Sequence, residues 1–244
     1  MSRIRLDIAL EQRGLAQSRA RARDAILRGT VSVNGVLASK PSQLVGEGDA
    51  VALNDPASHY VSRAALKLAE GLEKSGFDPE GKICLDLGAS TGGFSQVLAE
   101  RGAQKIYAVD VGHGQLHSDV AGLSNLVSLE GLNARDVTAE TIAEPIDFLV
   151  SDVSFVSLIK IIDAPSALCA PGAKALLLIK PQFEVGRDHV GKGGIVVPGP
   201  HVDMAIEAVL AHMDGLGWQR AGLWPSPIKG GDGNGEFLAG FRRR

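Results

Sequence analysis

Residues 82–95 read KICLDLGASTGGFS and limit what this chain can fold into more than any other stretch. A short apolar run, Ile83-Cys84-Leu85, carries Asp86 and then breaks at Gly88, Gly92 and Gly93. Over 94–101 the apolar spacing turns helical, with Phe94, Val97 and Leu98 on one side. Strand, glycine loop and helix in that order form the first crossover of a nucleotide-binding α/β sheet. The glycines admit a ligand close to the backbone, and the helix start presents free N–H groups. Gly88, Ser90, Gly92, Gly93 and Phe94 are therefore candidate cofactor contacts. Asp86 narrows the ligand: a carboxylate there repels a pyrophosphate and suits a cationic amine, such as the amino-acid end of S-adenosylmethionine.

Downstream, apolar runs alternate with helical spacing. Strands are predicted at 106–109, ending in Asp110, at 126–129, at 146–150, ending in Ser151-Asp152, and at 173–179, ending in Lys180-Pro181. Helices are predicted at 62–75, near 158–168 and over 201–216. The tail, 220–223 and 236–241, reads as a closing pair of strands around a glycine-rich loop. This alternation gives an α/β, Rossmann-like, mostly parallel doubly wound sheet.

Ligands of such sheets bind outside the carboxyl ends of the strands. Asp110, about twenty residues past the glycine loop, is placed to accept from ribose hydroxyls, with Val111 beside it. Asn133 and Asp136, after the third strand, can address an adenine edge. Asp152 and Lys180 each follow an apolar strand directly, so both belong to one rim of the sheet. They read either as a structural ion pair or as a proton-abstracting centre. A sugar hydroxyl is too weak an acid to lose its proton unaided near neutrality, and a lysine serves as base only when neutral. Burial and neighbouring cations favour the neutral form. Lys67, in the helix before the sheet, can supply the second cation, and Glu236 the second carboxylate.

The start of the chain has a different texture. Arg3, Arg5, Arg13, Arg19, Arg21, Arg23 and Arg28 crowd a segment opposed only by Asp7, Glu11 and Asp24, although the whole chain carries a net charge of −3. Local charge sets the field that a polyanion feels. A helix at 6–13, a second at 18–28 with Ser18 as N-cap, a hairpin around Asn34-Gly35 and a short strand at 49–53 complete the pattern. Asn54-Asp55-Pro56-Ala57-Ser58 has the turn chemistry of a connector. The chain divides into a small α+β domain at 1–58, a linker at 59–63 and the α/β domain at 64–244.

Hydrophobic residues make up 45% of the 244, enough for a sizeable core. No apolar run reaches the ~18 residues that span a bilayer, and the arginine-rich start lacks the apolar core of a secretory signal. Two cysteines, Cys84 and Cys169, supply neither a disulfide framework nor a cysteine zinc site, and no metal site is expected. A cytoplasmic, monomeric protein is the expectation.

The N-terminal pattern resembles the RNA-binding domain named after small-subunit ribosomal protein S-four, through Arg3-Ile4-Arg5-Leu6-Asp7, the helix at 18–28 and Val31 to Gly35. Lys67, Asp152, Lys180 and Glu236, in that order around Gly88-Ala89-Ser90-Thr91-Gly92-Gly93, resemble the Lys-Asp-Lys-Glu tetrad of FtsJ-type ribose 2′-O-methyltransferases. The whole chain resembles the TlyA family, once called haemolysins, most specifically at Lys180-Pro181-Gln182-Phe183-Glu184-Val185-Gly186. That resemblance implies methyl transfer from S-adenosylmethionine to cytidine 2′-hydroxyls of ribosomal RNA, free or in a ribosomal subunit, with the large-subunit RNA the first expectation and the small-subunit RNA a second. It implies Lys180 as base, with Lys67, Asp152 and Glu236 tuning it and positioning the ribose. Arg3, Arg5, Arg19, Arg21, Arg23, Arg63 and Arg187 are the implied RNA contacts.

Competing readings fit less well. Asp152-Val153-Ser154-Phe155 lacks the prolines of a base N-methyltransferase motif, and neither cysteine is placed for C5-pyrimidine chemistry. The loop lacks the second glycine of a dinucleotide fingerprint. Arg5-Leu6-Asp7 matches a short pseudouridine synthase motif but lies inside the RNA-binding pattern. A non-catalytic RNA-binding assembly factor and a membrane-active haemolysin are the alternatives from other classes.

Overall fold

The computed structural model describes residues 3–244. The chain forms two compact units, one ending at His59 and one comprising Tyr60–Arg244.

In the first unit, β1 (Ile4–Arg5) leads into α1 (Leu6–Gln12) and α2 (Arg19–Leu27), followed by β2 (Val31–Val33), β3 (Val36–Leu37), β4 (Leu44–Val45) and β5 (Val51–Leu53). β1 pairs with β4, and β3-β2-β5 form a second small antiparallel sheet. Ser18 caps α2 by accepting from the Arg21 N–H. Asn34 and Gly35 both take positive φ, the geometry of a two-residue hairpin turn. Leu6, Leu10, Ala22, Ile26, Val31 and Val45 form the fully buried core. The 54–58 segment, read as a connector, is instead fastened to this core. Ala57 is buried, Asp55 takes a two-pronged ion pair from Arg28 at 2.7 and 2.6 Å, and Arg21 donates to the Ala57 carbonyl.

The second unit runs α3 (Ala65–Ser75), β6 (Ile83–Leu87), α4 (Gly93–Glu100), β7 (Lys105–Asp110), α5 (Ser118–Ala121), β8 (Leu126–Glu130), β9 (Ile146–Ser151), α6 (Asp163–Ala167), β10 (Cys169–Ile179), α7 (Pro181–Glu184), α8 (Pro200–Gly215), β11 (Trp218–Pro225) and β12 (Phe237–Arg243). Seven strands lie in the order β11-β12-β10-β9-β6-β7-β8. β10, β9, β6, β7 and β8 are parallel, and β12 enters antiparallel between β10 and β11. The order reverses beside β6, the topological switch point where open α/β sheets bind ligands. Apolar clusters cover both faces of the sheet: Leu85, Leu149, Leu177 and Phe241 pack on one, Cys84, Phe148, Val150 and Leu176 on the other.

Two predicted helices differ in extent. The first starts at Ala65 because residues 62–64 form a turn, in which the Ser62 hydroxyl accepts from the Ala64 N–H. The helix predicted near 158–168 is split into a 3-10 turn, Leu158–Lys160, and α6. Pro165 is the cause: its ring clashes with the carbonyl four residues back, so a continuous helix cannot pass Ile161. The tail strands are longer than predicted, and Glu236 stands just ahead of β12.

Candidate active site

The glycine loop is shaped as much by protein as by ligand space. Gly88 has φ +78° and a Cβ on it would sit 3.0 Å from the Val153 backbone. Gly92, at φ +93°, has Val120 Cγ1 at 2.6 Å from where its Cβ would be, and Gly93 likewise faces Ser62. The loop therefore packs close against the segment after β9, the start of α5 and the turn before α3. Beyond it opens a cavity of about 620 Å³, within the usual range for small-molecule sites, whose wall includes Gly88, Ser90, Asp110, Val111 and Asn133. A smaller cavity of about 150 Å³ adjoins it, walled by Gly93, Phe94 and Lys180. Gly88, Ser90, Asp152 and Ser154 line both.

Three candidates fall elsewhere. Gly92 lies off both walls, and Asp136 is exposed, its place on the wall taken by Arg135. Asp86 is completely buried, one layer behind the loop. The Ser95 hydroxyl donates to its Oδ2 at 2.7 Å, while Oδ1 is buried with no partner. Burial holds the Asp86 carboxyl well above the usual carboxylate range, at about 7, against the opposing hydrogen bond from Ser95.

Asp110 is prepaired with backbone. Its Oδ2 accepts from the Ser90 N–H and its Oδ1 from the Gly112 N–H, both at 2.8 Å. Ser90 holds φ +47°. Glu130, which sequence reasoning passed over, ends the neighbouring strand in register with Asp110 and accepts from the Gly114, Gln115 and Leu116 N–H groups. These bonds hold its carboxyl below the usual range. The two carboxylates thus order the loop that carries Val111 and Gln115 onto the cavity wall. The signal was available: two parallel strands each end in an acid, at Asp110 and Glu130.

Lys67, Asp152, Lys180 and Glu236 come together at the rim. Lys67 projects from α3 one turn ahead of Gly71, whose missing side chain lets the helix settle against Leu176 and Leu238 of the sheet. Lys67 Nζ meets Glu236 Oε2 at 2.7 Å and Asp152 Oδ2 at 3.5 Å. Lys180 Nζ meets Asp152 Oδ1 at 2.6 Å. The result is a chain of alternating charge, Glu236–Lys67–Asp152–Lys180, in which Asp152 gives one oxygen to each lysine. The Glu236 side chain is only 2% exposed. Lys180 Nζ also donates to the Ser154 hydroxyl at 2.7 Å. Ser154, likewise missed, reaches this position because residues 152–157 run across the strand ends as an irregular loop.

Phe155, at the centre of that loop, is the second large omission. It is 90% exposed with φ +66°, and its ring lies 5.5 Å from that of Phe183. Of the candidate RNA contacts in this unit, Arg187 is exposed and Arg63 half-buried.

In the first unit the arginine crowd divides by partner. Arg28 is tied to Asp24 and Asp55, and Arg13 donates to the Asp49 and Gly46 carbonyls. Arg21 is partly committed to the Ala57 carbonyl. Arg5 and Arg19 share buried Asp7, which their guanidiniums, the Arg5 hydrogen bond foremost, pull down to about 2. Arg3, Arg19 and Arg23 are exposed.

Residues 60–243 match the FtsJ-like methyltransferase family, and residues 4–51 match the S4 domain. The 16S/23S rRNA (cytidine-2′-O)-methyltransferase TlyA of Mycobacterium tuberculosis is 40% identical, over 98% of this chain and 90% of its own. Hemolysin A of Brachyspira hyodysenteriae is 38% identical, over 98% of this chain and 99% of its own. A solved structure from Streptococcus thermophilus, described as a hemolysin, superposes with a TM-score of 0.76 at 35% identity, covering 100% of this chain and 89% of the other. Among the described residues no helix is long and apolar enough to cross a membrane. The Rossmann-like sheet, the family match to its whole length and the near end-to-end relatives agree: the chain belongs to the FtsJ-like methyltransferase family, within which it groups with the TlyA proteins.

Proposed function

We propose that this protein transfers a methyl group from S-adenosylmethionine to the 2′-hydroxyl of a cytidine in ribosomal RNA. The observation that carries the reading is the placement of Lys180 Nζ, at the wall of the smaller cavity, between Asp152 Oδ1 at 2.6 Å and Ser154 Oγ at 2.7 Å. The residues present fit the methyl donor. Asp110, Val111 and Asn133 stand on the wall of the larger cavity, beside Gly88 and Ser90 of the loop, and offer polar groups to a nucleoside there. When bound, S-adenosylmethionine supplies a methyl on a positively charged sulfur, an electrophile that needs no activation by metal.

Lys180 takes the 2′-hydroxyl proton as the oxygen begins to bond to carbon. For that its amine lone pair must point at the hydroxyl. The Ser154 hydroxyl and the Asp152 backbone carbonyl accept its N–H bonds and so fix the direction left over. Lys67 neutralises Asp152 from the far side, and Glu236 holds Lys67 in place. Phe155 offers an exposed ring beside this centre on which a splayed-out base can stack, and Arg3, Arg5, Arg19, Arg23, Arg63 and Arg187 meet phosphates.

The test is to map ribose methylation in both ribosomal RNAs after adding purified protein and labelled S-adenosylmethionine to subunits from cells lacking it. Methyl at a cytidine ribose, lost in Lys180→Ala with cofactor binding intact, is the expected result. Full methylation by Lys180→Ala would sink the assignment of the base. No methylation by the intact protein on either RNA, with RNA bound, would favour a non-catalytic assembly factor.

A further inference from the structure

Residues 152–158 and the turn 180–184 are interlocked at both ends. At the first end, Lys180 holds Asp152 and Ser154. At the other, Glu184 holds the loop's exit: its Oε2 accepts from the Ser157 hydroxyl at 2.6 Å and its Oε1 from the Leu158 N–H at 2.7 Å. Between the anchors stands Phe155, its backbone in the left-handed region and its ring beside Phe183, which belongs to the same turn.

A bulky residue keeps a left-handed backbone only where its surroundings over-determine it. An exposed phenylalanine gains little from burial, so the conformation is not maintained by packing of its own side chain. The only side-chain bonds that close the loop downstream of Phe155 come from Glu184, among the described residues. We infer that Glu184 is a positioning residue that holds Phe155 out as a platform for the base of the target nucleotide, at a fixed place relative to Lys180. It rests on the reading above that Lys180 works on a ribose. The geometry follows from chain connectivity: Lys180 precedes one short helix and Glu184 ends it, so base and platform are set by a single turn. A carboxylate that merely capped the 3-10 turn at Leu158–Lys160 would stabilise the fold without favouring RNA over cofactor.

The experiment compares Glu184→Ala, Glu184→Gln, Phe155→Ala and the Glu184→Ala/Phe155→Ala double variant of the full chain, with ribosomal subunits and S-adenosylmethionine as substrates. Base–aromatic stacking sets the expected size: Glu184→Ala raises the KM for RNA by about tenfold and leaves the KM for S-adenosylmethionine unchanged. Glu184→Gln, which keeps an acceptor, recovers most of the loss. The double variant is no worse than Phe155→Ala, because both changes remove one platform. Additive losses, or an unchanged RNA KM in Glu184→Ala, would overturn the inference. If Glu184→Ala melts early, Ser157→Ala removes one of the two bonds more gently, and an unchanged RNA KM there would overturn it equally. Failure of the base assignment shows separately, as activity in Lys180→Ala, whereas coupling between Glu184 and Phe155 is read from the RNA KM of variants in which Lys180 is intact.

Discussion

The Ser95 hydroxyl donates to Asp86 Oδ2 at 2.7 Å, and both residues are sealed from solvent. Hydrogen bonding from Ser95, by hydroxyl and by backbone, does not offset the cost of burying the charge, so the carboxyl stays raised to about 7. In the unfolded chain it titrates near the ordinary value, about 3.9. Between those two values the folded protein binds more protons, so this residue's contribution to stability is full below about 4 and is lost as pH rises towards 7. Replacing it with asparagine removes that loss. Relative to the parent, Asp86→Asn gains roughly 4 kcal/mol at most between pH 4 and pH 8. Urea unfolding at a series of pH values checks this, and a constant difference across the range contradicts it.

Lys67 is the partner that makes Glu236 tolerable in its buried place. Lys67→Ala leaves that carboxylate uncompensated and costs about 3 kcal/mol of stability in addition to activity. Lys180→Ala lowers turnover by about a hundredfold or more, the scale of general-base catalysis. Denaturant midpoints and single-turnover methylation separate the two losses.

Gly92→Ala places a Cβ 2.6 Å from Val120 at a backbone angle of +93°. Strain and overlap together cost about 2 kcal/mol or more. Thermal unfolding monitors it, and binding of S-adenosylmethionine should weaken with it because α5 and the loop are pushed apart.

Arg19 is exposed beyond its contact with Asp7. If it meets one phosphate, Arg19→Ala lowers the slope of log affinity against log salt by about 0.7 to 0.9. Filter binding across a salt series checks this, and an unchanged slope contradicts it.

The sheet was legible because buried parallel strands are written as apolar runs, and the acids and lysines that end them fall at predictable places on one rim. Lys67 and Glu236, distant in sequence and off the strands, could be offered from charge alone as a second cation and a second carboxylate, and the family resemblance ordered them into a tetrad. Asp86 was misplaced because period-2 alternation says which face a residue takes, not how deep it lies. Ser154 and Phe155 were missed because an irregular loop has no period to read, and Glu184 because a helix of four residues is too short to show one. Their positions depend on hydrogen bonds between segments nearly thirty residues apart. The break in the helix near 158–168 was readable from Pro165 alone.

The alternating row Glu236–Lys67–Asp152–Lys180 has a consequence for turnover. On the proposed assignment of Lys180 as base, the row carries one negative charge before the ribose proton arrives and none afterwards. A positively charged sulfonium is drawn towards the site before transfer, and the uncharged thioether left afterwards meets no such field. The proton that starts the reaction thus also weakens the hold on the spent donor, so that release is written into the same four side chains as chemistry.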